Sequence, residues 1–192
     1  MILYHGTQNG ELKELRTDFK SGRVNDTAKI YLTDSYEAAF LYAACTIRAY
    51  SFDKNNDVLC FYENAPDGFK KMYKGHGCYI FKIEIDNPEP VDNHPLGNHV
   101  FSCDKNIKLD KNNCEYIPDC YEKLLQLEKD GKIKLYRWED KSEDEKRKVK
   151  ENFIKRFLPG MKECKEKYSE DYKVLTSFYP ELAVDEAEEI KR

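Results

Sequence analysis

The hydrophobic period of this chain changes near Ser142, and that change limits what the chain can fold into. Before it, apolar residues come in short β-prone runs: Ile2-Leu3-Tyr4, Lys29-Ile30-Tyr31-Leu32-Thr33, Val58-Leu59-Cys60-Phe61-Tyr62 and Cys78 through Ile85. Each run is ended within a few residues by Gly, Pro or Asp. After it, Ser142-Glu143-Asp144-Glu145 forms a capping-box-like start. Val149, Phe153, Ile154, Phe157 and Leu158 then fall on one helical face until Pro159-Gly160. A second helix is expected from Met161 to about Phe178. The pattern predicts an α+β chain, with a sheet domain over 1–140 and a C-terminal helical extension over 141–192 packed on it.

The sheet part carries further signals. Asp34 or Ser35 can cap a helix from Glu37 to about Ile47 by accepting an orphan backbone N–H. Ala65-Pro66-Asp67-Gly68 starts a turn or short helix to Tyr73, and Gly75-His76-Gly77 is a hinge into the strand at 78–85. Asn87-Pro88-Glu89-Pro90 and His94-Pro95-Leu96-Gly97 read as loop. Strand segments follow around 99–109, and Asp119 opens a helix with Tyr121, Leu124, Leu125 and Glu128 in helical spacing. Lys132 to Trp138 alternates as a last strand.

At 192 residues the chain fits one domain with a real core. A net charge of −4 with interleaved lysines and glutamates gives no broad basic face, so nothing demands nucleic acid; Lys70-Lys71-Met72-Tyr73-Lys74-Gly75-His76 reads as a solvated loop, with a local basic rim as the alternative. The seven cysteines, Cys45, Cys60, Cys78, Cys103, Cys114, Cys120 and Cys164, contain no Cys-x-x-Cys pair. They read as reduced thiols used as small hydrophobes, which points to the cytoplasm. His5, His76, His94 and His99 share no metal-ligand spacing with a cysteine pair, and no metal is expected. Neither a secretory apolar segment nor a membrane span is evident.

The candidate site lies early in the chain. Tyr4-His5-Gly6-Thr7 puts a histidine and a hydroxyl at a strand end around a flexible glycine. Tyr31 sits on the next strand and Tyr42 eleven positions later in the following helix. Two phenol rings brought to one cleft can sandwich a flat aromatic group. The same residues also fit a strand cap and half-buried packing.

These segments resemble the first two motifs of the ADP-ribosyltransferase superfamily, in its diphtheria-toxin-like and poly(ADP-ribose)-polymerase-like branch. The match covers about residues 2–46. The resemblance implies a split, twisted β-sheet with flanking helices and a nicotinamide dinucleotide cleft. It implies that His5 hydrogen-bonds the adenosine ribose, that Gly6 offers backbone groups to the nicotinamide amide with Thr7 in support, and that Tyr31 and Tyr42 flank the nicotinamide ring. NAD would be a substrate rather than a resident cofactor.

Breaking the bond between nicotinamide and ribose develops positive charge on the sugar, which a fixed carboxylate stabilises. The third motif has two registers. Cys114-Glu115-Tyr116-Ile117 puts Glu115 in the catalytic slot; Asn98-His99-Val100-Phe101-Ser102 puts His99 there, where an imidazole supplies no negative charge but can act as a base near neutral pH. Glu63 and Glu84 are lesser candidates, Glu84 alternating away from Ile83 and Ile85. The expected activity is cleavage of NAD with transfer of ADP-ribose to a macromolecular acceptor, protein or nucleic acid, or to water. The alternative is an inactive module that binds NAD, ADP-ribose or a related nucleotide. RNA 2′-phosphotransferase chemistry is weaker, because Arg23 and Arg48 are the only arginines near the motifs. The C-terminal helices are a place for a protein partner, an antitoxin among the options if the chain is a toxin.

Overall fold

The computed structural model describes residues 1–17, 29–44 and 49–184. Cys45, Arg23, Arg48 and the end of the helix expected to reach Ile47 lie outside the described residues. In chain order the strands are β1 (Ile2–Thr7), β2 (Glu14–Leu15), β3 (Ile30–Thr33), β4 (Tyr50–Asp53), β5 (Val58–Tyr62), β6 (Cys78–Glu84), β7 (Glu89–Pro90), β8 (Val100–Cys103), β9 (Ile107–Lys108), β10 (Cys114–Ile117) and β11 (Ile133–Tyr136). The helices are α1 (Tyr36–Ala44), α2 (Gly68–Tyr73), α3 (Cys120–Lys129), α4 (Glu143–Phe157), α5 (Met161–Lys167) and α6 (Ser169–Phe178). The class is α+β.

Two compact units share the chain: Met1–Phe61 with Tyr73–Lys134, and Tyr62–Met72 with Leu135–Arg192. The expected boundary near residue 140 differs from this division in two respects: the second unit resumes at Leu135, and residues 62–72 group with it. The first unit is built on a six-stranded sheet in the order β10-β6-β1-β3-β8-β7. Its strand pairs are antiparallel. A β11-β5-β4 sheet and a β2-β9 pair complete the strand pairings.

Strand alternation decides the faces of the large sheet. Leu3, Ile30, Leu32, Phe81, Ile83 and Phe101 lie on one face and form a core with Leu15. Tyr4, Gly6, Tyr31, Ile80 and Glu115 lie on the other, which α1 covers. Helix α1 is buried nearly all round through Ala38, Ala39, Phe40, Leu41, Ala43 and Ala44. Its alanines let it approach β1 so closely that a Cβ on Gly6 would stand 1.9 Å from the Ala39 carbonyl oxygen. Gly6 is therefore first of all the residue that admits the helix.

Four expectations are corrected, the first being the solvated loop at 70–76: Lys70 to Tyr73 lie in α2, with Met72 and Tyr73 buried. Glu89-Pro90 is an edge strand paired with Ser102 and Phe101, not loop; proline is tolerated there because an edge strand leaves N–H positions unpaired. The single helix from Met161 to Phe178 is two, broken at Tyr168 (φ −135, ψ 60). In α3 the buried residues are Cys120, Leu124 and Leu127, so the core face is rotated from the one read through Tyr121 and Leu125.

The second unit is organised by Glu63, which is buried, with 5 % of its surface exposed. One carboxylate oxygen accepts the Phe69 N–H at the start of α2 and the other accepts the Trp138 N–H, both at 2.8 Å. Tyr62 stacks on Tyr136 with ring centres 4.8 Å apart. Ser142 and Glu145 form the expected capping box on α4. Phe153 packs with Phe157, Phe178 and Tyr179. The Tyr179 hydroxyl donates to the Asn64 carbonyl. Among the described residues no helix is long and apolar enough to cross a membrane.

Candidate functional site

The segments singled out in the sequence fall on neighbouring strands. His5, Gly6 and Thr7 end β1, Tyr31 lies on β3 beside it, and His99 immediately precedes β8, which pairs with β3 through Tyr31↔Ser102 and Thr33↔Val100. Their side chains divide between the two faces. His5 is registered opposite Phe81 and shares the core face with Leu3. Tyr31, between Ile30 and Leu32, points to the α1 face and is 40 % exposed.

His5 is tied to Tyr31 in another way. Burial lowers its pKa below the usual histidine value, opposed in part by a hydrogen bond from the ring to the Tyr31 backbone. Thr7 accepts the Asn9 N–H at 3.1 Å and closes the turn after β1.

Tyr42 lies one helical turn after Ala38 and on the same side of α1. Its hydroxyl meets that of Tyr50 at 3.1 Å, and the two rings pack edge to face. Tyr50 and Phe52 share a face of β4. Ala38 and Phe52 both line a cavity of about 320 Å³, together with Asp34, Glu37, Asp57 and His99. Tyr42 and Tyr50 themselves are not among the residues that line this cavity.

The chemistry of the cavity centres on His99. Its Nδ1 is 2.8 Å from Asp34 and its Nε2 is 3.1 Å from Asp57. The Phe52 ring packs edge to face against it with centroids 4.9 Å apart. Burial works against the charged imidazole, but the hydrogen bonds to Asp34 and then Asp57 outweigh it and raise the pKa above the usual histidine value. In the protonated state both ring nitrogens donate, and the trio then combines two carboxylates with one imidazolium. Asp34 reaches His99 because the chain leaves β3 there, its N–H donating to the His99 carbonyl at 3.2 Å. The N-cap is Ser35 instead, whose Oγ accepts the Ala38 N–H at 3.1 Å. Asp57 sits at φ +54 in the turn between β4 and β5.

Glu115 lies elsewhere. Strand β10 is at the sheet edge, separated from β3 by β6 and β1, about 14 Å at ordinary strand spacing. Its carboxylate accepts the Tyr36 hydroxyl at 2.9 Å and pairs with Lys123 at 3.2 Å. Burial and then that bond push the Tyr36 phenol well up. Glu115 lines a second, more open groove with Tyr4, Lys82 and Asn112. Glu63 is occupied in the second unit as described, and Glu84 is exposed at the end of β6.

Sequence reasoning missed Asp57 and treated Asp34 only as a possible cap. The Asn-rich turn Lys54-Asn55-Asn56-Asp57 signals a hairpin, but nothing local signals a partner 42 residues away. Among the described residues, no group of three or more His, Cys, Asp or Glu side chains is arranged to hold a metal ion. Comparison with protein-family models, with curated proteins and with solved structures found no match.

Proposed function

We propose that this chain is a divergent ADP-ribosyltransferase-type protein that binds NAD, cleaves its nicotinamide–ribose bond and passes ADP-ribose to a macromolecular acceptor, protein or nucleic acid, or to water. The observation that carries this reading is the adjacency of the three motif segments on β1, β3 and β8, with Tyr31 on the α1 face of the sheet and Tyr42 on α1 itself. The cavity at His99, lined by Asp34, Phe52 and Asp57 and not by Tyr31 or Tyr42, is at the low end of small-molecule sites, with room for the nicotinamide–ribose end rather than the whole dinucleotide.

On this reading the third motif is the register at His99, and the negative charge comes from its two carboxylate partners. Asp34 is the stronger source, since its side chain is 32 % exposed against 75 % for Asp57, whose field water screens. His99 holds the pair in place, so the field exists before charge develops on the sugar. With both nitrogens engaged it is a positioning residue and not a base. His5, on the face of the sheet opposite Tyr31, does not line this cavity.

A second reading, binding of NAD or ADP-ribose without turnover, is favoured by one observation: the Glu115 carboxylate is engaged away from the His99 cavity by Tyr36 and Lys123. Nicotinamide release from NAD, followed chromatographically, separates the two. The enzyme reading expects release that falls at least ~10-fold in Asp34→Asn and His99→Ala and persists in Glu115→Gln. NAD binding without release selects the module, and absence of both binding and release refutes the NAD assignment.

A further inference from the structure

The same trio has a property that does not depend on the ligand. A protonated imidazole has two N–H groups and satisfies Asp34 and Asp57 together, whereas a neutral one has a single N–H and turns a lone pair toward one carboxylate at about 3 Å. One bond must then open. Asp34 has the shorter contact, 2.8 Å against 3.1 Å, is the less exposed, and is held by its backbone bond to His99. Asp57 has the longer contact and lies at the tip of a hairpin.

That hairpin is organised independently of His99. Asp53 accepts the Asn55 and Asn56 N–H groups at 3.1 and 3.3 Å and the Asn56 side chain at 2.8 Å. β4 and β5 are paired from Tyr50↔Phe61 to Asp53↔Val58. Loss of the Asp57 bond therefore frees the tip and leaves the strands intact. Asp57 is both a cavity-lining and a largely exposed residue, so it stands at the rim. The other charged groups lining the cavity are Glu37 on α1 and Lys132 ahead of β11. His99 is the histidine among the residues that line the cavity, and histidine is the side-chain type whose ordinary titration falls near neutral pH.

We propose that the Asp57–His99 bond is a proton-operated latch: with His99 protonated the tip of the β4–β5 hairpin is held at the rim of the cavity, and loss of that proton releases it and widens the entrance. Ligand entry to the cavity then rises with pH as His99 titrates. The latch goes beyond the NAD assignment, and its test contains no NAD.

The test is a pH titration of the full chain by nuclear magnetic resonance, following the His99 ring and the backbone amides of Asn55, Asn56 and Asp57. The latch requires ring and amides to share one midpoint. In Asp57→Asn the His99 ring still titrates, at a lower midpoint, while the hairpin amides lose their response. His99→Gln, whose amide NH2 still donates but has no titrating proton, gives amides independent of pH. Hairpin amides that stay unchanged while the wild-type His99 ring titrates overturn the latch, as does a hairpin response that survives in Asp57→Asn.

Discussion

Gly6→Ala separates the structural role of this glycine from any role toward a ligand. The added Cβ would stand 1.9 Å from the Ala39 carbonyl oxygen, 2.8 Å from the Ala39 carbonyl carbon and 2.8 Å from the Ala43 Cβ. Ordinary contact begins near 3.4 Å, so α1 must lift from β1 by roughly 1.5 Å. The obstacle is main chain inside a helix and cannot rotate away. A gap of 0.5–1 Å already forfeits about a quarter to a half of a contact's attraction, and α1 packs on both β1 and β3 through closely fitted alanines. The expected cost is about 3 kcal/mol, the upper end for an overpacked core, with a fall in Tm of ~6–12 °C for a chain of this size. Urea unfolding followed by circular dichroism reads it directly, as a lower midpoint at an unchanged slope. A change of less than about 0.5 kcal/mol, within the range of an ordinary surface substitution, refutes the close-approach argument; if such a variant nevertheless lost NAD binding, the glycine would belong to the ligand instead.

Glu63→Gln replaces one of two acceptors by an NH2 group, leaving the Phe69 or the Trp138 N–H facing a donor, and should cost about 1–3 kcal/mol in thermal unfolding; an unchanged Tm contradicts the account of the second unit. His5 has a lowered folded-state pKa, so between that value and 6.5 the unfolded chain binds more protons. Its effect is therefore a loss of stability as pH falls below about 6.5, and His5→Gln should flatten that part of the profile. His99 acts with the opposite sign. Its folded-state pKa is raised, so its contribution is fully present below about 6.5 and is lost as pH rises through the folded value; His99→Gln should remove this decline, and a wild-type profile flat on that side argues against the paired carboxylates.

Much of the scaffold is legible from periodicity and punctuation. The runs ended by Gly6, Asp34 and Pro88 are strands, and Ser142 with Glu145 marks α4, because each signal is local. The break at Tyr168 is not legible: from Cys164 to Ser169 there is no Gly or Pro, and the chain turns there through backbone angles that tyrosine adopts without a sequence signature. Alternation could have warned that His5 travels with Leu3 and that Tyr31 opposes Ile30 and Leu32. Learning that the two point to opposite faces needed the register of β1 on β3, which is non-local. The Asp34–His99–Asp57 trio was least legible, since it joins a strand end, a hairpin tip and the turn ahead of β8.

The most direct test of the central claim is a crystal structure of the full chain soaked with NAD. The account predicts the nicotinamide ring between Tyr31 and Tyr42, with the anomeric carbon of its ribose facing Asp34 and Asp57 across the cavity at His99. A dinucleotide bound in the groove beside Tyr4 and Glu115, or no bound dinucleotide at saturating concentration, would contradict it.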